Sequence, residues 1–283
     1  MKLCRFGDVG HERPGILDMN GSIRDLSSVI DDVGLDEISP SGLAKLRAID
    51  PQTLPMVQGS PRMGAPWKGA SKFIAIGLNY VEHARESGLP IPDEPVVFLK
   101  ATTSISGPCD NVVQPRGSTK LDWEVELGVV IGTKAQYVDE RDALDYVAGY
   151  CVVNDVSERA FQMQSSQWDK GKGCDTFGPV GPWLVSADEV TDPQGLDLWL
   201  EVNGKRMQDA NTRSMIFPVA KLVSYVSRYM TLLPGDVITT GTPTGVGLGV
   251  KPNPVYLKPG DTMRLGISGL GEQQQRVVSL EPD

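Results

Sequence analysis

The most constraining feature of this chain is the run Asp122-Trp-Glu-Val-Glu-Leu-Gly-Val-Val-Ile131, where acids interrupt a stretch apolar enough to be buried. Val125, Leu127, Val129 and Ile131 recur at every second position, the period of a strand. Glu124 and Glu126 then share the opposite face, about 6.6 Å apart along the strand. At an effective dielectric near 20, two carboxylates at that spacing repel by about 2.5 kcal/mol, before any cost of desolvation. A fold that accepts this strand must supply a divalent cation, basic side chains, a shared proton, or an edge open to water.

The surrounding pattern is rich in strands and turns. With 31 glycines and 21 prolines in 283 residues, a helical bundle is a poor fit. Residues 2–6 and 14–18 read as strands, with Asn20-Gly21 as a hairpin turn, so the chain opens with a small β-rich module. The Gly-, Pro- and Ser-rich stretch 58–71 reads as a connector, which divides the chain into a small N-terminal domain, 1–68, and a larger one, 69–283. In the larger part, Phe73–Ile76, Val96–Lys100, Trp123–Ile131 and Gly149–Asn154 read as strands. Helices are expected from Asn79 (as N-cap), over Glu140–Val147 after Asp139, over Val156–Gln164 and over Val219–Tyr229. A second hairpin is expected at Asn203-Gly204. Strands and helices do not alternate one for one, so the expected class is strand-rich α+β with peripheral helices rather than a doubly wound sheet.

Charge and composition exclude several functions. There are 27 basic and 36 acidic residues, a net charge of −9, which offers no footprint for a nucleic-acid backbone. Apolar runs such as Val96–Leu99 and Val147–Val153 are far short of the roughly 20 residues that cross a bilayer. The first residues meet charge at once and lack the apolar segment of a secretory signal, so a cytoplasmic location is expected. Cys4, Cys109, Cys151 and Cys174 form no Cys-x-x-Cys pair, and His11 and His83 are the only histidines, so any bound metal is held mainly by oxygen.

Candidate site residues cluster around the acidic strand. Tyr150-Cys-Val-Val-Asn-Asp155 is an apolar strand ending in an acid; with Glu124 and Glu126, Asp155 would offer three hard oxygen donors, a set suited to Mg²⁺ or Mn²⁺. The competing reading of Asp155 is a helix N-cap. Arg159 and Gln162 follow at steps of four and three, so a guanidinium and an amide would stand beside the acids, unless that stripe simply faces water. Lys172, bracketed by glycines in a loop, would aim an amine inward, with a pKa lowered beside a cation. In Thr239-Thr-Gly-Thr-Pro-Thr-Gly-Val-Gly247 the backbone, notably at Gly241, and the Thr242 hydroxyl are suited to a substrate carboxylate. His83 and Glu86, three residues apart on a short helix between glycines, form either a general-base dyad on a lid or an ordinary surface pair.

Together, Gly77-Leu-Asn-Tyr-Val-Glu-His83, Trp123-Glu-Val-Glu-Leu127, Val153-Asn-Asp155, Lys172-Gly-Cys-Asp-Thr-Phe-Gly-Pro-Val-Gly-Pro182 and Thr240-Gly-Thr-Pro-Thr-Gly-Val246 resemble the fumarylacetoacetate hydrolase family, in its order. The resemblance implies a mixed β-roll catalytic domain behind a small N-terminal α/β domain, usually dimeric. It implies Mg²⁺ or Mn²⁺ on Glu124, Glu126 and Asp155, catalytic His83, Glu86 and Lys172, and a pocket lined by Arg159, Gln162, Gly241 and Thr242. The reaction expected is hydrolysis of a carbon–carbon bond in a 2,4-diketo acid to pyruvate and a second acid. Met1–Gly7, Pro14–Asp18 and Ile23–Ser27 look like the branch that includes 2,4-diketo-3-deoxy-L-rhamnonate hydrolases, often labelled ureidoglycolate lyases. The alternatives on the same metal site are a ureidoglycolate lyase and an oxaloacetate decarboxylase or acylpyruvate-type hydrolase.

Overall fold

The computed structural model describes residues 1–280. The backbone of the molecule is a long mixed sheet. From one edge its strands run Ile23–Asp25, Arg13–Leu17, Lys2–Phe6, Gly178–Ser186, Val147–Asn154, Val125–Ile131, Val237–Thr239, Phe73–Gly77 and Val96–Lys100. Neighbours are antiparallel except Val237–Thr239, which runs parallel to Phe73–Gly77. A second sheet, ordered Lys205–Asn211, Asp197–Val202, Thr262–Ile267, Gly271–Ser279 and Val112–Gln114, packs against it. The strand-rich α+β class is therefore observed. No helix among the described residues is long and apolar enough to cross a membrane.

The strands at the centre of the large sheet are buried on both faces, and their side chains divide by parity. Leu127, Val129, Ile131, Tyr150 and Val152 join the core shared with the second sheet and with the Val219–Ser227 helix. Val130, Cys151 and Val153 join a core on the opposite face, with Leu3, Ile16, Leu26, Leu43 and Trp67 from the first 68 residues. Those residues also extend the large sheet, since Lys2 pairs with Val185 and Leu3 with Leu184. Both hairpins form: Leu17 pairs with Ile23 around Gly21 (φ 80°), and Val202 with Lys205 around Asn203 (φ 50°) and Gly204 (φ 78°).

Four local expectations are corrected. Asn79 does not cap the Val81–Glu86 helix. It is buried, its Oδ1 accepts from Phe217 N–H (2.8 Å), and its Nδ2 donates to the Thr240 carbonyl (2.8 Å), tying three segments together. Residues Glu140–Tyr146 form 3₁₀ turns without a side-chain cap from Asp139. The helix expected over 156–164 is only one turn, Arg159–Gln162, because Ser157 and Glu158 pair as a strand with Asp122 and Leu121. Its cap is Glu158, whose carboxylate accepts from Ala160 N–H, rather than Asp155. Lys172 ends a short helix, Asp169–Lys172, instead of lying in an open loop.

Candidate metal and active site

The acidic strand, the strand ending at Asn154 and the helical turns after it converge on one buried chain of alternating charge. Asp122 Oδ2 accepts from Arg159 Nε (2.9 Å), and Arg159 Nη2 donates to Glu124 Oε1 (2.6 Å). Lys172 Nζ bridges Glu124 Oε2 and Asp155 Oδ2, at 2.7 Å each, and Lys100 Nζ stands 2.6 Å from Asp155 Oδ1. Arg159 Nη1 also holds the Gln162 amide oxygen at 3.0 Å. The charged side chains of this set are all at most 5% exposed, which is tolerable only because each charge has a partner.

Glu126 stands outside this pairing. Thr239 Oγ1 (2.5 Å) and Gly241 N–H (2.8 Å) donate to its Oε2, but no cation pairs with it among the described residues. Burial first, then the charges of Asp155 and Glu124, push its carboxyl well above the usual carboxylate range. Glu124 goes the other way: burial opposes ionisation, yet Lys172 and Arg159 hold it low. The three acids Glu124, Glu126 and Asp155 bring ligand atoms within 4.8 Å of one another.

A divalent cation fits this donor set. Three carboxylate oxygens are the hard ligands that Mg²⁺ or Mn²⁺ takes. Among the described residues, Asp155 Oδ1 has no side-chain partner but the Lys100 ammonium, at 2.6 Å. In charge, four acids face three bases, one acid in excess. A dication reverses that to one positive charge, which a single substrate carboxylate would neutralise.

The Lys172 amine is set by its acidic neighbours while no cation is bound. Burial alone would lower its pKa, but Asp155 and then Glu124 carry it above the ordinary lysine value, so it stays an ammonium. Lys100 shifts down, chiefly through burial, with Asp155 only partly offsetting it.

His83 and Glu86 do meet, Nδ1 to Oε2 at 3.3 Å. Glu86 also accepts from Gly245 N–H, at 3.0 and 3.2 Å to its two oxygens. It is pressed so close to Gly249 that a Cβ there would lie 2.1 Å from its carboxyl carbon. Burial raises the Glu86 pKa, but the bonds from His83 and Gly245 outweigh it, keeping the carboxylate ionised. His83, Glu124, Arg159, Gln162 and Lys172 line one cavity of about 230 Å³. Thr242 and Gly241 are occupied within the fold: the Thr242 hydroxyl donates to the Val125 carbonyl and accepts from Gln208 Nε2, and Gly241 N–H serves Glu126. A larger groove of about 510 Å³, between Val29 and Ile49, gathers no comparable set of buried charges.

Residues missed from the sequence are those that hold the others. Asp122 orients Arg159 and also accepts from Gly247 N–H (2.6 Å) and Leu248 N–H (2.9 Å). Lys100 also donates to the Lys172 and Val156 carbonyls. Asn154 Oδ1 receives Glu124 N–H (3.2 Å) and its Nδ2 meets Gln275 Oε1 (3.1 Å). The available signals were a charge ending the apolar run Val96–Leu99, and a third acid two residues before Glu124.

Residues 72–278 match the family model described as fumarylacetoacetate (FAA) hydrolase C-terminal. A protein of Burkholderia orbicola (strain MC0-3), provisionally named a hydrolase, is 66% identical over 282 residues, covering 99% of this chain and 100% of its own. Among solved structures, fumarylacetoacetate hydrolase from psychrophilic Exiguobacterium antarcticum has a TM-score of 0.87 at 35% identity, covering 99% of this chain and 100% of that one. Maleylpyruvate hydrolase from Sphingobium sp. SYK-6, in complex with manganese(II) ion and pyruvate, has a TM-score of 0.83 at 31% identity, with coverage of 99% and 100%. With the fold, the ordered motifs and the match over most of its length in agreement, the chain belongs to the fumarylacetoacetate hydrolase family.

Proposed function

We propose that this protein is a divalent-metal-dependent hydrolase that cleaves the C3–C4 bond of a 2,4-diketo acid, releasing pyruvate and a second acid. The observation that carries this reading is the excess acid: Glu126, buried without a counter-ion beside Asp155 and Glu124, the last of which lines a cavity with Arg159, Gln162, Lys172 and His83. When bound, the cation would supply Lewis acidity to a chelated 2-keto carboxylate. Arg159 and Gln162 would bind and orient the carboxylate end. With Nδ1–H of His83 turned to the Glu86 carboxylate, Nε2 would be the basic nitrogen that takes a proton from water. The oxygen of that water adds to C4, and the C3–C4 bond breaks with its electron pair left on C3. Lys172 Nζ–H faces the developing negative charge, and C3 then takes a proton to give the pyruvate methyl group.

The pyruvate held by the Sphingobium relative, together with manganese(II), supports this choice of product and metal class. The specific member proposed is 2,4-diketo-3-deoxy-L-rhamnonate, cleaved to pyruvate and lactate, with Mg²⁺ or Mn²⁺ as the ion. The test is turnover of a panel of 2,4-diketo acids, oxaloacetate and ureidoglycolate, with either ion and with a chelator. One pyruvate per diketo acid, lost on chelation and restored by either ion, is expected. Urea release from ureidoglycolate, or carbon dioxide from oxaloacetate, with diketo acids inert, would overturn it.

A further inference from the structure

The cavity has a second character. Apart from the polar residues already described and Ser87, its walls are Leu78, Leu89, Met163, Trp168 and Leu248. Among the described residues, no basic side chain lines it beyond Arg159, Lys172 and His83 at the acidic cluster. At about 230 Å³ it is also smaller than the roughly 300–1,000 Å³ of a drug-sized pocket.

The largest of these walls is fixed in place. Trp168 packs edge-on to Phe98, with ring centroids 5.3 Å apart and planes at 67°. On another side it presses on bare backbone: a Cβ on Gly77 would lie 2.4 Å from Trp168 Cζ3, so only glycine fits there. The next residue, Asp169, accepts from Leu99 N–H (3.1 Å) at the edge of the large sheet. Beside Gly77, Leu78 is held at φ 54°, an uncommon conformation for leucine and one retained where the surroundings dictate it.

We infer that this wall selects the substrate's far end: the acyl tail beyond C4 is short, uncharged and carbon-rich, and a tail ending in a second carboxylate is rejected. The inference rests on the hydrolase reading above. Two physical terms support it. Apolar walls favour each added methylene until the cavity is full, by about fourfold in affinity per group. A second carboxylate held against the half-buried Leu78, Trp168 and Leu248 would give up water with no cation to meet it. With a dication bound, the cluster's single positive charge is already matched by the first carboxylate.

The test separates tail binding from turnover. With Mn²⁺ present, calorimetry compares N-alkyl oxamates, which retain the 2-keto carboxylate pattern but cannot be hydrolysed, with N-carboxyalkyl oxamates of equal length. Butyl is expected to bind at least about tenfold more tightly than carboxypropyl, and the same order should appear in kcat/KM for acylpyruvates of the two series. Met163 is 73% exposed, so Met163→Arg should fold normally and cut that ratio by about tenfold. Equal or tighter binding of the carboxyalkyl series, or a ratio unmoved by Met163→Arg, would overturn the inference. Absence of pyruvate from every diketo acid would sink the hydrolase reading instead, while the oxamates would still report which tail the wall accepts.

Discussion

Two ionic clusters in this molecule use similar side chains to opposite ends. Near the N-terminal strands, Arg5 pairs with Asp32 (2.7 Å) and Glu12 (3.3 Å), Arg62 with Glu12 (2.9 Å) and Asp110 (2.6 Å), and Lys68 with Asp32 (2.9 Å). Three acids meet three bases, and members such as Lys68, 58% exposed, reach water. In the central cluster Asp122, Arg159, Glu124, Lys172, Asp155 and Lys100 are matched in the same way, but Glu126 is added and every member is buried. The outer cluster is complete as it stands and joins segments distant in sequence. The inner one is complete only with a further positive charge. A buried acid with no basic partner is pushed toward its protonated form, and a fold that keeps one has a use for it.

The strongest way to break this distinction is to substitute the paired and the unpaired acid separately. Glu126→Gln keeps an oxygen for Thr239 and Gly241 while removing the acid that has no basic partner. It should weaken Mn²⁺ binding by at least about 10²-fold and abolish turnover, yet leave the thermal midpoint of the metal-free protein unchanged or higher. Glu124→Gln takes the charge from between Arg159 and Lys172, and should cost about 3–5 kcal/mol of stability as well as activity. Denaturant melts in chelator and Mn²⁺ titrations check both. Equal destabilisation by the two substitutions would erase the difference between paired and surplus acid.

A smaller effect is expected at the dyad, which touches the cluster only across the cavity. His83→Ala should lower kcat by roughly 10²–10⁴ while Mn²⁺ affinity stays within a few-fold of the parent. A large loss of metal affinity would make His83 part of the charge cluster rather than the group that takes the proton.

The sequence exposed those parts of the site that follow a local period. Strand alternation placed Glu124 and Glu126 on one face, and the apolar run into Asp155 marked where a third acid would arrive. The hairpins at Asn20-Gly21 and Asn203-Gly204 were legible because their turns demand particular residues. What was hidden depends on pairing over long distances. Nothing local shows that Lys2 joins Val185, so the first strands read as a separate module although they extend the large sheet. Asn79 had the spacing of a helix cap, but the buried carbonyl of Thr240 and the N–H of Phe217 claimed its side chain instead. Ser157 and Glu158 were drawn out of a helix by Asp122 and Leu121, some 36 residues earlier, which also decides where Arg159 begins its turn. From sequence, Lys100 reads only as the last residue of the Val96–Lys100 strand. Its role depends on Asp155 and Lys172, which only the folded sheet brings beside it.

The gentlest probe belongs to the outer cluster and works through pH. Burial opposes ionisation of Glu12 and Asp32, but hydrogen bonds and charge from Arg62, Arg5 and Lys68 more than compensate, so both carboxyls lie below their usual range when folded. Because the folded pKa is the lower one, the unfolded chain binds more protons on acidification. The stability these groups contribute is therefore full above an unfolded value of about 4 and is lost as pH falls through it toward the folded values. Asp32→Asn should flatten that acid limb of the thermal midpoint and cost up to about 1 kcal/mol at neutral pH, less in high salt, since solvent screens this cluster. Mn²⁺ affinity and pyruvate release should not move. If Asp32→Asn weakens metal binding, the two clusters are coupled through the large sheet, and the division into a structural set and a functional set fails.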